Sequence, residues 1–319
     1  MISFAPMEGI GTIYYREVHH RLFPEGIDRY YTPFLSVYPN LSFRKRDMRE
    51  LLPAQQQLDT CETIPQILAG KAVEIVWGVR TLRAEGFSEV NLNLGCPSMT
   101  VVRKGRGAGL LTDPDALDRT LEAVFLALEQ EGLDVRLSVK SRLGLTDPAE
   151  FHRILEILNR YPLCEVILHP RVRKEVYSGS PHLDIFEWAL ENSTHPLAYN
   201  GDLRTVADIQ AFRQAHPGVR HLMIGRGLVA NPALARELAG GAPLSTEELR
   251  AFIRALVAAY TEIGTSEQQI LCKLKEWWFY WAQLFPSEEG GAVSRSLHRL
   301  RMARNMTDYR NAEREVLRT

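Results

Sequence analysis

The stretch RLSVKSRLGLTDPAEFHRILEILNRYPLCEVILHPR, residues 136–171, contains one full repeat of the fold. Arg136–Lys140 reads as a short strand, and Asp147-Pro148 as an N-cap followed by proline in the first helical turn. An amphipathic helical run follows, and Cys164–Leu168 is a second apolar strand. Strand, helix, strand is the βαβ unit. Working outward, the same alternation recurs. Candidate strands precede it at Ile2–Phe4, Asp28–Thr32, Thr63–Ile67 and Glu89–Asn93, and follow it at Pro196–Tyr199 and His221–Ile224. Helix starts are marked by Asp113-Pro114 and by capping boxes at Thr205 with Asp208 and Ser245 with Glu248. Eight strands, each feeding a helix, predict an α/β protein built on a (β/α)8 TIM barrel over residues 1–240. An open doubly wound sheet is the other architecture such an alternation can build. Residues Pro33–Leu58, with Arg44-Lys45-Arg46, are expected to form a partly helical insertion after strand 2.

The alternation stops near Gly240-Gly241. Residues 243–319 are helical in pattern: Thr246–Ile263, Ile270–Leu284 and Ala292–Met306, then a charged tail. They predict a small C-terminal helical domain. The chain of 319 residues is long enough for both parts, and its 45% hydrophobic and 24% charged content is that of an ordinary globular protein. A net charge of −1 rules out a global positive field, so any nucleic-acid surface must be local. Cys61, Cys96, Cys164 and Cys272 are scattered without a CxxC pair, which excludes common zinc spacings and a disulfide framework and points to a reducing cytoplasm. No metal site, signal peptide or membrane span is expected.

A barrel places its active site in the loops that follow the strands. Small and polar residues gather there: Ala5-Pro6-Met7-Glu8-Gly9, Gln66, Asn93-Leu94-Gly95-Cys96-Pro97-Ser98, Lys140 with Arg142, His169-Pro170-Arg171, Asn200-Gly201-Asp202 and Gly225-Arg226-Gly227. The last two occupy the usual phosphate position, where glycine lets backbone N–H groups approach an anion and Arg226 adds charge. Two ordinary glycine turns are the bland reading. Lys140 at a strand end must meet an anion or lose its proton. It suits a reduced flavin, the alternative being a structural salt bridge. Gln66 offers an amide edge to a pyrimidine ring. Cys96 differs from the other cysteines by its place in a Gly-Cys-Pro turn; the other three read as inert buried side chains. Lys104–Gly109 lacks dinucleotide-loop spacing and reads as a mobile basic loop.

Taken in order, these motifs resemble the dihydrouridine synthase family, and the helix with Lys273-Leu274-Lys275-Glu276-Trp277 resembles that family's RNA-binding domain. The resemblance covers nearly the whole chain, with the Asn-x-Gly-Cys-Pro-Ser segment its most specific piece. It implies FMN as cofactor, NADPH as reductant and tRNA as partner. It implies Pro6, Met7, Glu8, Gln66, Lys140, His169, Asn200, Gly201, Asp202, Gly225 and Arg226 as FMN ligands. Asn93 would contact the target uracil, and Cys96 would donate a proton to C5 after hydride reaches C6. A thiol suits that role because its ordinary pKa, about 8.5, keeps it protonated near neutrality. Met99, Pro170, Thr32-Pro33 and Thr12 depart from the family pattern and bear on RNA contacts and on which uridine is chosen. The Met-Glu-Gly start and the Lys-x-Trp helix resemble the branch acting at D-loop position 16.

Arg171, Lys273, Lys275, Arg295 and Arg299 are the candidate RNA contacts, with His298, Arg301, Arg304 and Arg310 nearby. A merely solvated basic face is the alternative. Trp277, Trp278, Phe279, Tyr280 and Trp281 are read as domain core. Two other functions fit some of these residues. A flavin barrel reducing a small pyrimidine or enone needs no helical tail, and a non-catalytic RNA-binding barrel needs neither Cys96 nor Lys140. A monomer is expected.

Overall fold

The computed structural model describes residues 1–51, 61–285, 288 and 291–318. Its strands are β1 (Ile2–Phe4), β2 (Arg29–Tyr31), β3 (Leu35–Ser36), β4 (Glu62–Ile64), β5 (Gln66–Leu68), β6 (Glu89–Leu94), β7 (Arg136–Arg142), β8 (Glu165–His169), β9 (Leu197–Tyr199) and β10 (His221–Ile224). They form one sheet in the order β3-β5-β6-β7-β8-β9-β10-β1-β2-β4. That order is a ring laid flat. β2 and β3 are halves of one strand broken at Thr32-Pro33-Phe34, and β4 and β5 are halves of another broken at Pro65. The first halves pair in parallel, Tyr30 with Thr63, and so do the second halves, Leu35 with Ile67. Across the break, the Thr32 N–H donates to the Ile64 carbonyl at 3.0 Å and the Gln66 N–H to Thr32 Oγ1 at 3.0 Å. Both ends of the order therefore belong to the same two strands, and the sheet closes. The fold is the (β/α)8 barrel, not the open sheet.

Proline explains the breaks. It has no N–H to give to a ladder, yet its carbonyl still accepts, as Pro65 does from the Asn91 N–H at 2.9 Å. Two expectations are corrected here. Thr63–Ile67 is not one uninterrupted strand, and the segment from Pro33 begins with β3, whose Leu35 is fully buried, before the short helix α2. Residues 52–58 of that segment lie outside the described residues.

Helices follow the strands: α1 (Ile13–Leu22), α2 (Lys45–Met48), α3 (Ala72–Ala84), α4 (Met99–Val102), α5 (Pro114–Gln130), α6 (Glu150–Leu158), α7 (Leu183–Asn192), α8 (Val206–Ala215), α9 (Arg226–Ala230) and α10 (Leu234–Leu238). Asp113 caps α5 by accepting the Ala116 N–H at 3.0 Å. Asp147 does not cap α6 directly. Its side chain accepts the Ala149 N–H at 2.9 Å, and the helix starts at Glu150, whose carboxylate accepts the N–H groups of Leu145 and Asp147. Inside the barrel Ala5, Tyr31, Ile64, Ile167, Ala198 and Met223 form one buried cluster, and every residue of β6 is buried, as a parallel strand covered on both faces requires.

The chain forms two compact units. The first, residues 1–6, 28–202 and 213–223, holds the sheet. The second, residues 7–27, 203–212 and 224–319, includes α1 and the closing helices α11 (Thr246–Glu262), α12 (Glu267–Trp281), α13 (Ala292–Met302) and α14 (Met306–Val316). Aromatic rings form its core: Tyr15 meets Phe252 edge-on at 5.4 Å and Trp277 at 5.8 Å, and Trp278 meets Trp281 at 5.7 Å. Phe279, expected there, is 67% exposed. The expected charged tail is α14 instead. Asn305 caps it through the Asp308 N–H at 2.9 Å, and Met306, Tyr309, Ala312 and Val316 form a buried stripe at helical spacing. No helix among the described residues is long and apolar enough to cross a membrane.

Candidate active site

In the first unit, β6 runs out into Gly95-Cys96-Pro97. The turn closes on one side chain: Asn93 Oδ1 accepts the N–H of Gly95 at 3.0 Å and of Cys96 at 2.8 Å. From the other side the Cys96 carbonyl accepts the Ala108 N–H at 3.1 Å. Gly107 has φ +55°, and a Cβ there would lie 2.9 Å from the Cys96 Cβ, so glycine is required for this approach. The run Lys104–Gly109, expected to be a mobile loop, is a tied turn. Arg106 pairs with Glu74 at 3.0 Å, and Glu74 also accepts the Gly70 N–H at 2.9 Å. Within the run only Lys104 and Gly105 are exposed.

Cys96 is half-buried. Burial pushes the Cys61 and Cys164 thiols up to about 12, so neither ionises near neutrality. Cys272, expected to be buried, is exposed on α12.

Beside the cysteine turn, β7 ends in Lys140 and Arg142. Burial, and then the neighbouring Arg142 charge, lower the Lys140 ammonium to about 7, against an opposing pull from Cys96. Among the described residues the Lys140 side chain has no hydrogen-bond or ion-pair partner, so the structural salt bridge considered from sequence is absent. Arg142 is buried and its pKa falls to about 10 for that reason first. It donates to the Gly95 carbonyl at 3.0 Å and to the Val172 and Val176 carbonyls at 3.2 and 2.7 Å, joining the cysteine turn to the loop after β8. Arg173 adds a second tie, its Nε donating to the Pro97 carbonyl at 3.2 Å and its Nη2 contacting Met99 Sδ. Sequence reading assigned no role to Arg173; nothing in its local pattern distinguishes it from a surface arginine.

Arg171 corrects an expectation. Read as an RNA contact, it is fully buried. It donates to both Asp202 oxygens at 3.1 and 2.6 Å, to the Ser178 and Gly179 carbonyls, and to His169 Nε2 at 3.2 Å. An arginine can only donate, so His169 Nε2 accepts and its proton sits on Nδ1. Asn200 donates to the Met223 carbonyl at 2.8 Å. A Cβ on Gly201 would stand 2.8 Å from the Tyr199 hydroxyl. Gln66 is buried between two other amides, donating to Asn91 Oδ1 at 2.7 Å and accepting from Asn93 Nδ2 at 2.8 Å. Pro6 is half-buried just after β1.

In the second unit, Met7-Glu8-Gly9 is a turn whose Met7 carbonyl accepts the Ile10 and Gly11 N–H groups at 3.0 and 2.8 Å. Lys273 Nζ donates to the Gly9 carbonyl at 2.6 Å, so this candidate RNA contact is partly committed to the first motif. Gly225 caps α9, and Arg226 opens it half-buried. Lys275 is half-buried, and Arg295 and His298 are exposed on α13. Arg299 is held by Glu315 of α14 and by Ser296 Oγ at 3.1 Å. A groove of about 350 Å³ between α11 and α14 carries Arg250, Arg254, Arg310 and Arg314 around Ile253, Val257, Met306 and Tyr309. Burial raises the pKa of its Glu313, against the pull of Tyr309 and the arginines. Arg254 and Arg310 have no hydrogen-bond or ion-pair partner through their side chains among the described residues. This concentration was missed from sequence, except for Arg310, because it needs α14 to exist.

The described residues contain no group of three or more His, Cys, Asp or Glu side chains placed to hold a metal ion. The Dus model, described as dihydrouridine synthase, matches residues 3–272. The tRNA-dihydrouridine(16) synthase of Pseudomonas syringae pv. tomato is 27% identical over 294 residues, covering 89% of this chain and 90% of that one. The protein of the same name from Cupriavidus necator is 28% identical over 252 residues, covering 77% and 76%. Among solved structures, morphinone reductase in complex with tetrahydroNAD matches with TM-score 0.55 and 10% identity over 76% of this chain and 87% of that one. TcOYE with pHBA matches with TM-score 0.56 and 11% identity over 83% and 95%. The two structural likenesses bear on the barrel fold alone.

Proposed function

Because the chain belongs to the dihydrouridine synthase family, we propose that it reduces the C5–C6 bond of one uridine in tRNA, with FMN as bound hydride carrier, NADPH as reductant and Cys96 as proton donor. The observation that carries this reading is the pairing of a half-buried thiol on a braced turn with Lys140, a cation without a partner among the described residues. A half-buried lysine lacking its own carboxylate fits an anionic ligand group, which is the test FMN must pass here. When bound, FMN would supply hydride to C6 of the pyrimidine.

The chain's own residues do the rest. Lys140 sets a positive charge against the ligand, and binding an anion there restores its proton. Gln66, His169, Asn200, Gly201 and Asp202 belong to the same group of strand ends. Pro6, Met7, Glu8, Gly225 and Arg226 are assigned to the cofactor on the family pattern. Asn93 meets the uracil, and Cys96, kept as thiol, gives its proton to C5. The uracil must leave its stack, at a cost of a few kcal/mol that a strained loop lessens.

Residues 1–240 are thus the catalytic barrel and 243–319 the RNA-binding domain, working as a monomer in the cytoplasm. Lys275, Arg295, Arg254 and Arg310 track phosphates, and Lys273 and Arg299 join them by giving up protein partners. Position 16 is the uridine that the relatives' names suggest.

The test is reconstitution. Purified protein should carry flavin absorbance, and with NADPH should add two hydrogens to unmodified tRNA, read by mass spectrometry. A colourless protein that takes up no FMN overturns the proposal.

A further inference from the structure

The cysteine turn is the last link of a buried polar row crossing β5, β6 and β7. The N–H groups of Gly95 and Cys96 donate to Asn93 Oδ1 at 3.0 and 2.8 Å. Asn93 Nδ2 donates to Gln66 Oε1 at 2.8 Å, and Gln66 Nε2 to Asn91 Oδ1 at 2.7 Å. Asn91 Nδ2 then donates to Ser138 Oγ at 2.9 Å, and Ser138 to Glu89 Oε1 at 2.9 Å. Glu89 ends the row, with Arg136 at 3.2 Å and Arg29 at 3.8 Å. Gln66, Asn91 and Ser138 are fully buried, and Asn93 and Glu89 nearly so.

The direction of this row follows from chemistry at each end. A peptide N–H can only donate, so Asn93 must turn its oxygen to the cysteine turn and its nitrogen to Gln66. That orients Gln66, which orients Asn91, which leaves Ser138 to donate onward. At the far end a carboxylate beside two guanidinium groups accepts, which asks the same of Ser138. Flipping any one amide would set oxygen against oxygen at one junction and N–H against N–H at the next. Both ends demand one polarity.

We infer that Glu89 and Ser138 are positioning residues, which act through Asn91 and Gln66 to hold the Asn93 amide with its oxygen on the cysteine turn and one N–H left to donate. The Asn93 oxygen is already used twice, so what Asn93 has left to offer is its second N–H. A group it meets must therefore be an acceptor, such as a ring carbonyl of a pyrimidine, and not a ring N–H. The identity of that ring rests on the function proposed above; the polarity does not. The same row holds the turn that presents Cys96. Glu89 thus acts on the thiol from across the strands without touching it.

The experiment uses full-length protein in four variants: Ser138→Ala, Asn91→Leu, their double, and Glu89→Gln, which keeps an accepting oxygen. Two readouts are taken on each. One is the rate of alkylation of Cys96 by iodoacetamide, relative to exposed Cys272 in the same molecule, followed by peptide mass spectrometry. The other is kcat and KM on tRNA with the bound-flavin absorption band. Ser138→Ala and Asn91→Leu should each change the Cys96 to Cys272 ratio several-fold and lower kcat about tenfold or more, with FMN retained. The double should be no worse than the poorer single, since the links act in series. Glu89→Gln, which keeps an accepting oxygen but loses the charge, should shift both readouts in the same direction as Ser138→Ala and by less. An unchanged alkylation ratio in all variants, or losses that multiply in the double, would overturn the inference. If the wild type makes no dihydrouridine but the ratio still shifts, the row stands and the substrate reading falls.

Discussion

Cys96 and Lys140 are common residue types made uncommon by position. Replacing Cys96 with alanine should leave bound flavin and NADPH oxidation intact but slow dihydrouridine formation by about 100-fold or more, the scale of a lost general acid. Equal turnover by mutant and wild type would remove the thiol from the reaction. Lys140 makes a pH prediction for flavin-free protein. Its folded pKa, about 7, lies below the ordinary 10.5, so between those values the unfolded chain binds more protons and stability rises with pH. Below about 7 the burial cost of the cation is fully present. Lys140→Met should therefore stabilise the flavin-free protein most at low pH, with an advantage that fades toward pH 10.5. A melting-temperature difference independent of pH would contradict this. Arg171 is the counterexample to sequence reading: a rim arginine looks like an RNA contact until Asp202 is seen to face it. Arg171→Met should cost about 1–3 kcal/mol in denaturant unfolding, because it takes the donor from buried His169 and the charge partner from part-exposed Asp202.

At the scale of elements, what sequence could show depended on whether the signal was local. β6 and its turn were legible because a buried run ends in Gly-Cys-Pro within a few residues. The breaks at Pro33 and Pro65 were not, since only the neighbouring strand reveals that a proline carbonyl still accepts in the ladder. Helix α14 was misread as a tail because charged residues such as Arg310, Glu313, Arg314 and Glu315 dominate its pattern; the stripe Met306, Tyr309, Ala312, Val316 was there at the right spacing. The helix is anchored by Tyr309, whose hydroxyl accepts from Trp278 Nε1 at 2.7 Å and donates to Glu313 at 2.9 Å. Tyr309→Phe would leave a buried indole N–H without its acceptor, at about 1–3 kcal/mol by thermal or urea unfolding. A neutral result would mean that α14 is held by apolar packing alone.

For the whole molecule, a net charge of −1 conceals the local concentration of arginine between α11 and α14. The barrel was legible in the succession of strands, but its closure was not, because that depends on which half-strands pair. Binding to tRNA should weaken steeply with salt, and Arg254→Ser with Arg310→Ser should lower the log–log slope by about one for each phosphate no longer neutralised. An unchanged slope would move the RNA surface to another face. The central claim is that this chain reduces a tRNA uridine in the cell. Mapping dihydrouridine across the tRNAs of a strain that lacks the protein tests it most directly. The account predicts that dihydrouridine disappears from a single D-loop position, 16, and returns with the wild-type chain but not with Cys96→Ala. Dihydrouridine unchanged at every position would contradict it.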